Sequence, residues 1–132
     1  MSTTTFVNLP VRDLARATEF FTRLGFSFDP RATSERTACM VISDEAFAML
    51  HVEPRFKEFI GQEITDTSRA REVIVGLTTD TREQVDDLVE RALAAGAQPL
   101  PDPPDQGFMY MRAFRDLDGH QWSFLHMDMS AR

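Results

Sequence analysis

Three histidines, one cysteine and a scatter of carboxylates are the groups with which this chain could do acid–base, nucleophilic or metal chemistry. His51 and Glu53 stand two residues apart, a spacing that puts two donors on one face of a strand and supplies half of a divalent-metal site. His120 follows a predicted tight turn and His126 lies further along the same strand. At ~3.3 Å per residue those two rings are roughly 20 Å apart, too far to share an ion. Cys39 is alone, so it closes no intramolecular disulfide and builds no multi-thiolate zinc site. The carboxylate pairs Asp44-Glu45, Asp86-Asp87 and Asp116 with Asp118 fall in a turn, on a helix surface and in a hairpin, where solvation or turn-making explains them. Neither a glycine-rich phosphate loop nor a Gly-x-Ser-x-Gly elbow is present. No catalytic residue is assigned.

The 132 residues suit one domain or two small fused modules. With 42% hydrophobic and 27% charged residues, the chain has the composition of a protein that buries a core. Its formal charge of −7 repels phosphate backbones and anionic headgroups, which excludes nucleic acid and membrane surfaces as partners. The start, Met1-Ser2-Thr3-Thr4-Thr5, lacks the basic and apolar regions of a secretory signal, and a cytoplasmic location is expected.

The elements that must position these groups come in two similar sets. Thr5-Phe6-Val7-Asn8-Leu9 reads as a strand stopped by Pro10, and Asp13 caps a helix burying Leu14, Ala17, Phe20, Phe21 and Leu24, which Gly25 ends. Strands follow from Phe26, over Thr37–Ile42 and over Phe47–Val52, the last two joined by the turn Ser43-Asp44-Glu45-Ala46. The second set opens with strand Val73–Leu77. Thr81 and Gln84 then form a capping box before a helix burying Val85, Leu88, Val89 and Ala92, and Gly96 ends it. A proline-rich crossing over 99–105 leads to a hairpin of Phe108–Phe114 and Gln121–Met127 about Asp116-Leu117-Asp118-Gly119. The fold class is α+β, a single domain over 1–132 of two tandem β-α-β-β-β modules. Module one covers about 5–53, a linker with Phe56, Phe59 and Ile60 about 54–70, and module two about 71–128.

A duplicated unit with Leu9-Pro10-Val11-Arg12-Asp13-Leu14 near its start and Asp116-Leu117-Asp118-Gly119-His120 near its end resembles the vicinal oxygen chelate superfamily. That group takes in glyoxalases, extradiol dioxygenases, fosfomycin-modifying enzymes and bleomycin-binding proteins. The likeness runs from about Phe6 to Met127 and is greatest to short glyoxalase-like bacterial proteins with Phe-Val-Asn-Leu-Pro-Val openings and a Gly107-Phe108-Met109-Tyr110 hairpin. It implies curved mixed sheets around a cavity, pairing of two chains, and, in the metalloenzymes, ligands from a module's first and last strands. By motif offset those positions are Phe6, Met49, Ile74 and Ser123, none a good divalent ligand.

No metal is therefore expected; the alternative is a divalent ion held by displaced donors, His51 and Glu53. Alternation puts Phe6 with Asn8, Phe47 with Met49 and His51, and Gln121 with Ser123 and Leu125, a mainly apolar lining with a few hydrogen-bonding groups. Phe108, Tyr110, Arg112 and Phe114 alternate as a possible clamp of rings and guanidinium. The expected ligand-binding residues are Phe6, Asn8, Met49, His51, Tyr110, Arg112 and Ser123. The expected function is binding of a small organic molecule by a homodimer. The alternatives are a metal-dependent lyase, isomerase or dioxygenase, and an interaction module without a ligand.

Overall fold

Asp13 and Thr81 start the two long helices as capping chemistry requires. The Asp13 carboxylate accepts from the Arg16 N–H, and the Thr81 hydroxyl from the Gln84 N–H. Gly25 and Gly96, at φ +106° and +109°, supply the left-handed residue that lets the chain turn back, and Phe26 and Ala97 N–H then bond to Phe21 and Ala92 carbonyls. The computed structural model describes residues 3–104 and 107–128, so Asp105, at the end of the expected crossing, lies outside the described residues.

The chain divides into two units, one running to Thr65 and the other beginning at Asp66. The first comprises β1 (Thr5–Val11), α1 (Leu14–Leu24), β2 (Ser27–Phe28), β3 (Thr37–Ser43), β4 (Ala46–Val52) and α2 (Glu53–Ile60), with a short 3-10 turn at Pro30–Ala32. Its sheet has the order β1-β4-β3-β2, with β1 parallel to β4 and the other pairs antiparallel. The second unit repeats this order with β5 (Ile74–Thr78), α3 (Arg82–Ala94), β6 (Gln98–Pro99), β7 (Met109–Arg115) and β8 (Gln121–Met127), arranged β5-β8-β7-β6. Two mixed four-stranded sheets built from tandem β-α-β-β-β modules are thus present.

Each sheet buries one face against its helix. In the first unit, Leu9, Val11, Ala38, Met40, Ala48 and Leu50 lie on that side and are buried, as are Ala17, Phe20, Phe21 and Leu24 of α1. Burying each of the larger side chains contributes about 1.5–3 kcal/mol. In the second unit, Val75, Phe114, Trp122 and Phe124 share the corresponding side, and α3 buries Val85, Val89 and Ala92.

Two expectations fail at Pro10 and Glu53. Pro10 does not stop β1, which continues to Val11 because an edge strand needs no ladder hydrogen bond from that residue. Glu53 is not a strand residue: β4 ends at Val52 and Glu53 opens α2, with Pro54 in the first turn where its missing N–H costs nothing.

Candidate functional site

The side of the first sheet away from α1 carries Phe6 and Asn8 of β1, Phe47, Met49 and His51 of β4, and Thr37 and Cys39 of β3. Phe6 faces Phe47 across the ladder, their rings stacked at 5.2 Å between centroids and 18° between planes, and Phe6 stays 54% exposed. An aromatic pair offset in this way leaves a ring face available for another flat group.

Beside that pair runs a line of hydrogen bonds across three strands. His51, only 3% exposed, approaches Asn8 Oδ1 with Nε2 and Thr37 Oγ1 with Nδ1, each at 2.8 Å. A neutral imidazole donates through one ring nitrogen and accepts through the other, and the Thr37 hydroxyl, able to do either, satisfies Nδ1 in both tautomers. Burial, helped by the charge of Arg55, holds the His51 pKa below the ordinary histidine range, which favours the neutral ring. Phe59 of α2 meets the imidazole edge at 5.1 Å, and Arg55 lies 4.5 Å over the Phe59 ring. Cys39 is buried nearby, its thiol pushed up by burial and by Asp29, which makes it an inert packing residue.

Thr37 was not among the expected site residues. Counting back from the turn at Ser43-Asp44-Glu45-Ala46 sets Ala38 opposite His51. A bulge between Val41 and Ser43 shifts the register by one and brings Thr37 there instead.

In the second unit the open side carries Ile74 and Gly76 of β5, Gln121, Ser123 and Leu125 of β8, and Met111, Ala113 and Arg115 of β7. Ser123 is buried and Ile74 is exposed. Tyr110 and Arg112 do not join Ser123 on this side. They pair with His126 and Phe124 on the helix-facing side, where α3 meets them. The Tyr110 hydroxyl donates to Asp86 at 2.6 Å, which raises its pKa. Arg112 bonds Asp86 at 3.2 Å and Glu90 at 2.9 Å and faces Asp102 at 3.5 Å without hydrogen-bond geometry. The expected clamp is therefore turned to the helix, with its guanidinium already supplied with carboxylates.

A second buried polar group lies behind the β7–β8 turn. Asp116 Oδ1 accepts from the Asp118 and His120 N–H groups and Oδ2 from the Trp122 indole, at 2.8–3.0 Å. Burial pushes its carboxyl up, while His120, the indole and the two backbone donors pull the other way. His120, 1% exposed, meets Glu72 at 2.9 Å, and Thr67 donates to the Asp118 carbonyl at 2.6 Å. These bonds shape the turn.

The model of the Glyoxalase/Bleomycin resistance protein/Dioxygenase superfamily matches residues 4–124. The chain belongs to this superfamily. Among solved structures, the hypothetical protein SA1046 from S. aureus is 28% identical, with 96% of this chain and 94% of that one covered at a TM-score of 0.79. A glyoxalase/bleomycin resistance protein/dioxygenase family enzyme from Burkholderia phytofirmans PsJN is 18% identical over 96% and 99% of the two chains, also at 0.79. The fosfomycin resistance protein FosX from Listeria monocytogenes, complexed with Mn(II) and sulfate, is 20% identical over 100% and 95%, at 0.72. The last two likenesses show the fold. Comparison with curated proteins finds no match.

A metal such as the manganese of FosX can be tested against the side chains of this superfamily member. The motif-assigned positions offer a phenyl at Phe6, a thioether at Met49, an alkyl group at Ile74 and a hydroxyl at Ser123. The displaced donors fare no better. His51 has both ring nitrogens engaged, and Glu53 sits exposed on α2 rather than beside it on β4. Among the described residues, no three His, Cys, Asp or Glu side chains gather as an ion would need. These residues do not fit a divalent ion. Among them, too, no helix is long and apolar enough to cross a membrane.

Proposed function

We propose that this protein binds a small organic molecule on the open side of the first sheet, without a metal ion between protein and ligand. The observation that carries this reading is the exposed, stacked Phe6–Phe47 pair set beside the Asn8 amide, an apolar platform with a fixed polar group at its edge. Met49, Asn8's partner in the ladder, adds an adaptable thioether surface. Within the superfamily this reading lies nearest the bleomycin-resistance type, in which sequestration rather than turnover is the activity.

Native mass spectrometry with elemental analysis of freshly purified protein tests it. The expected result is an organic adduct, retained or added from a small-molecule panel, with no stoichiometric metal. One tightly held divalent ion per chain would overturn it in favour of a metal-dependent lyase, isomerase or dioxygenase. Pairing of two chains belongs to the same proposal, motivated by Phe59 and Ile60, which leave large apolar surface exposed on α2. Light scattering should give a dimer, and a monomer at all concentrations would refute the pairing.

A further inference from the structure

The open side of the second sheet carries a row of polar side chains that the chain itself leaves unused. Ladder partners point to the same side, so Gln98 of β6, Arg115 of β7 and Gln121 of β8 stand abreast there. Ser123 is the next residue of β8 on this side and lies between Gly76 and Ala113. The Asp116 N–H bonds to the His120 carbonyl at 2.8 Å and the Asp128 N–H to the Phe108 carbonyl at 2.6 Å, which marks every second pair of this ladder as the hydrogen-bonded kind. The pairs between, Arg115 with Gln121 and Ala113 with Ser123, are those whose side chains stand closest.

The Gln98 and Gln121 amides and the Ser123 hydroxyl have no hydrogen-bond partner among the described residues. Ser123 is only 6% exposed, yet its hydroxyl is not sealed from solvent. A side chain so buried is ordinarily paired. Arg115 gives Nη2 to the Thr67 carbonyl at 2.8 Å; its Nε is sealed and without an acceptor, whereas its Nη1 is also without one but open to solvent. Arg23, Arg31, Arg36, Arg55, Arg91 and Arg112 each hold a carboxylate. Arg115 holds none among the described residues, in a chain with 21 acids, and no Asp or Glu of β5, β6, β7 or β8 points to this side.

We propose that this row is a binding site for a small organic carboxylate. Arg115 Nη1 and the flanking amides of Gln98 and Gln121 donate to the carboxylate oxygens, and a single guanidinium among neutral amides matches one negative charge rather than the two of a phosphate. The body of the ligand lies over Gly76, Ser123 and Ala113, where side chains are short; a methyl group on Gly76 would touch only Leu125, at 3.9 Å. Leu125 and Met111, one row further on, form an apolar end. Successive rows are roughly 7 Å apart, which sets the reach of the apolar part from the carboxylate. The formal charge of −7 does not oppose such a ligand, because charges beyond about 8 Å are largely screened at physiological salt and the fixed charge on this face is a guanidinium.

The test titrates 15N-labelled protein with 3-phenylpropanoate and with 3-phenylpropanamide, the same skeleton without the charge. The acid should bind roughly tenfold more tightly, the gain when a hydrogen bond becomes charge-assisted. It should displace the side-chain NH2 resonances of Gln98 and Gln121 and the backbone resonance of Ser123, and leave those of Asn8 in place. Its advantage should shrink as sodium chloride is added. Arg115→Gln should bring the two affinities together. Gln121→Leu, which keeps the bond from Arg115 to Thr67, should weaken the acid several-fold, so the test does not depend on Arg115→Gln folding.

Equal affinity for acid and amide, binding of neither, or displaced resonances at Asn8 without those of Gln98 and Gln121 overturns the site. An undiminished preference for the acid in Arg115→Gln does the same. The site is on a different sheet from the Phe6–Phe47 platform, and its failure leaves the reading of that platform to its own experiment.

Discussion

The two sheets share one strand order and one ladder pattern but put their buried polar groups in different places. Where the first sheet sets Asn8, His51 and Thr37 in a row across its open side, the corresponding residues of the second are Gly76, Leu125 and Met111. The second unit instead places Asp116, His120 and Trp122 at its turn, and Arg112 where the first has Ala38. Identical topology thus carries a row of hydrogen bonds across an open sheet face in one unit and bonds that shape a strand turn in the other. The frame is set by the apolar periodicity, and the polar substitutions on it decide what each face can do.

If that contrast holds, deleting polar groups should hurt the second unit more. Asp116→Ala strips acceptors from the Trp122 indole and from two backbone N–H groups, and should cost about 3 kcal/mol or more in urea unfolding. A loss below about 1 kcal/mol would break the comparison. Gly119→Ala comes next. Its φ of +82° is strained for alanine, and the added carbon would stand 2.9 Å from Thr67 Cβ, so a loss of about 2 kcal/mol is expected in thermal unfolding.

Arg112→Met should cost about 1 kcal/mol, because the acids around it are half exposed and regain water. The organic adduct seen by native mass spectrometry should be retained as in the wild type in this variant, and its loss would show that the helix-facing side takes part in binding. The smallest effect is the pH dependence tied to His51. Burial lowers its pKa in the folded protein, so the unfolded chain binds the proton more readily. Stability is therefore fully present above the unfolded value of about 6.5 and is lost as pH falls through the lower folded value. Wild type should lose more stability over that range than His51→Gln; parallel curves would mean that the ring is not held neutral.

Much of the frame is legible in the residues. Asp13 and Thr81 start helices, Gly25 and Gly96 end them, and Asp118-Gly119 turns a hairpin, because each meets a local backbone demand that neighbouring residues cannot alter. Alternation likewise groups Phe6 with Asn8 and Met49 with His51 on the side away from α1. What local rules do not reach is register and facing. One extra residue in β3 substitutes Thr37 for Ala38 opposite His51, and a bulge of that kind leaves little mark on composition. The facing of Arg112 had a signal that could have been read: Asp86 and Glu90 stand four apart on α3, in the line of a guanidinium on a strand that the helix covers. Glu53-Pro54 likewise carried a helix start, an acid and a proline in the first turn.

The parallel ladder between the first and last strands of each unit bears on the order in which the nascent protein can acquire its shape. β1 has β4 as its ladder neighbour, and β5 has β8, so each opening strand must wait for the closing one to leave the ribosome. The amino-terminal sheet can be complete once Val52 has emerged, while its carboxy-terminal counterpart stays unzipped until β8 has followed. During that interval Val75 and the inner side of α3 have no complete sheet to cover them, just as Leu9 and the inner side of α1 have none until β4 arrives.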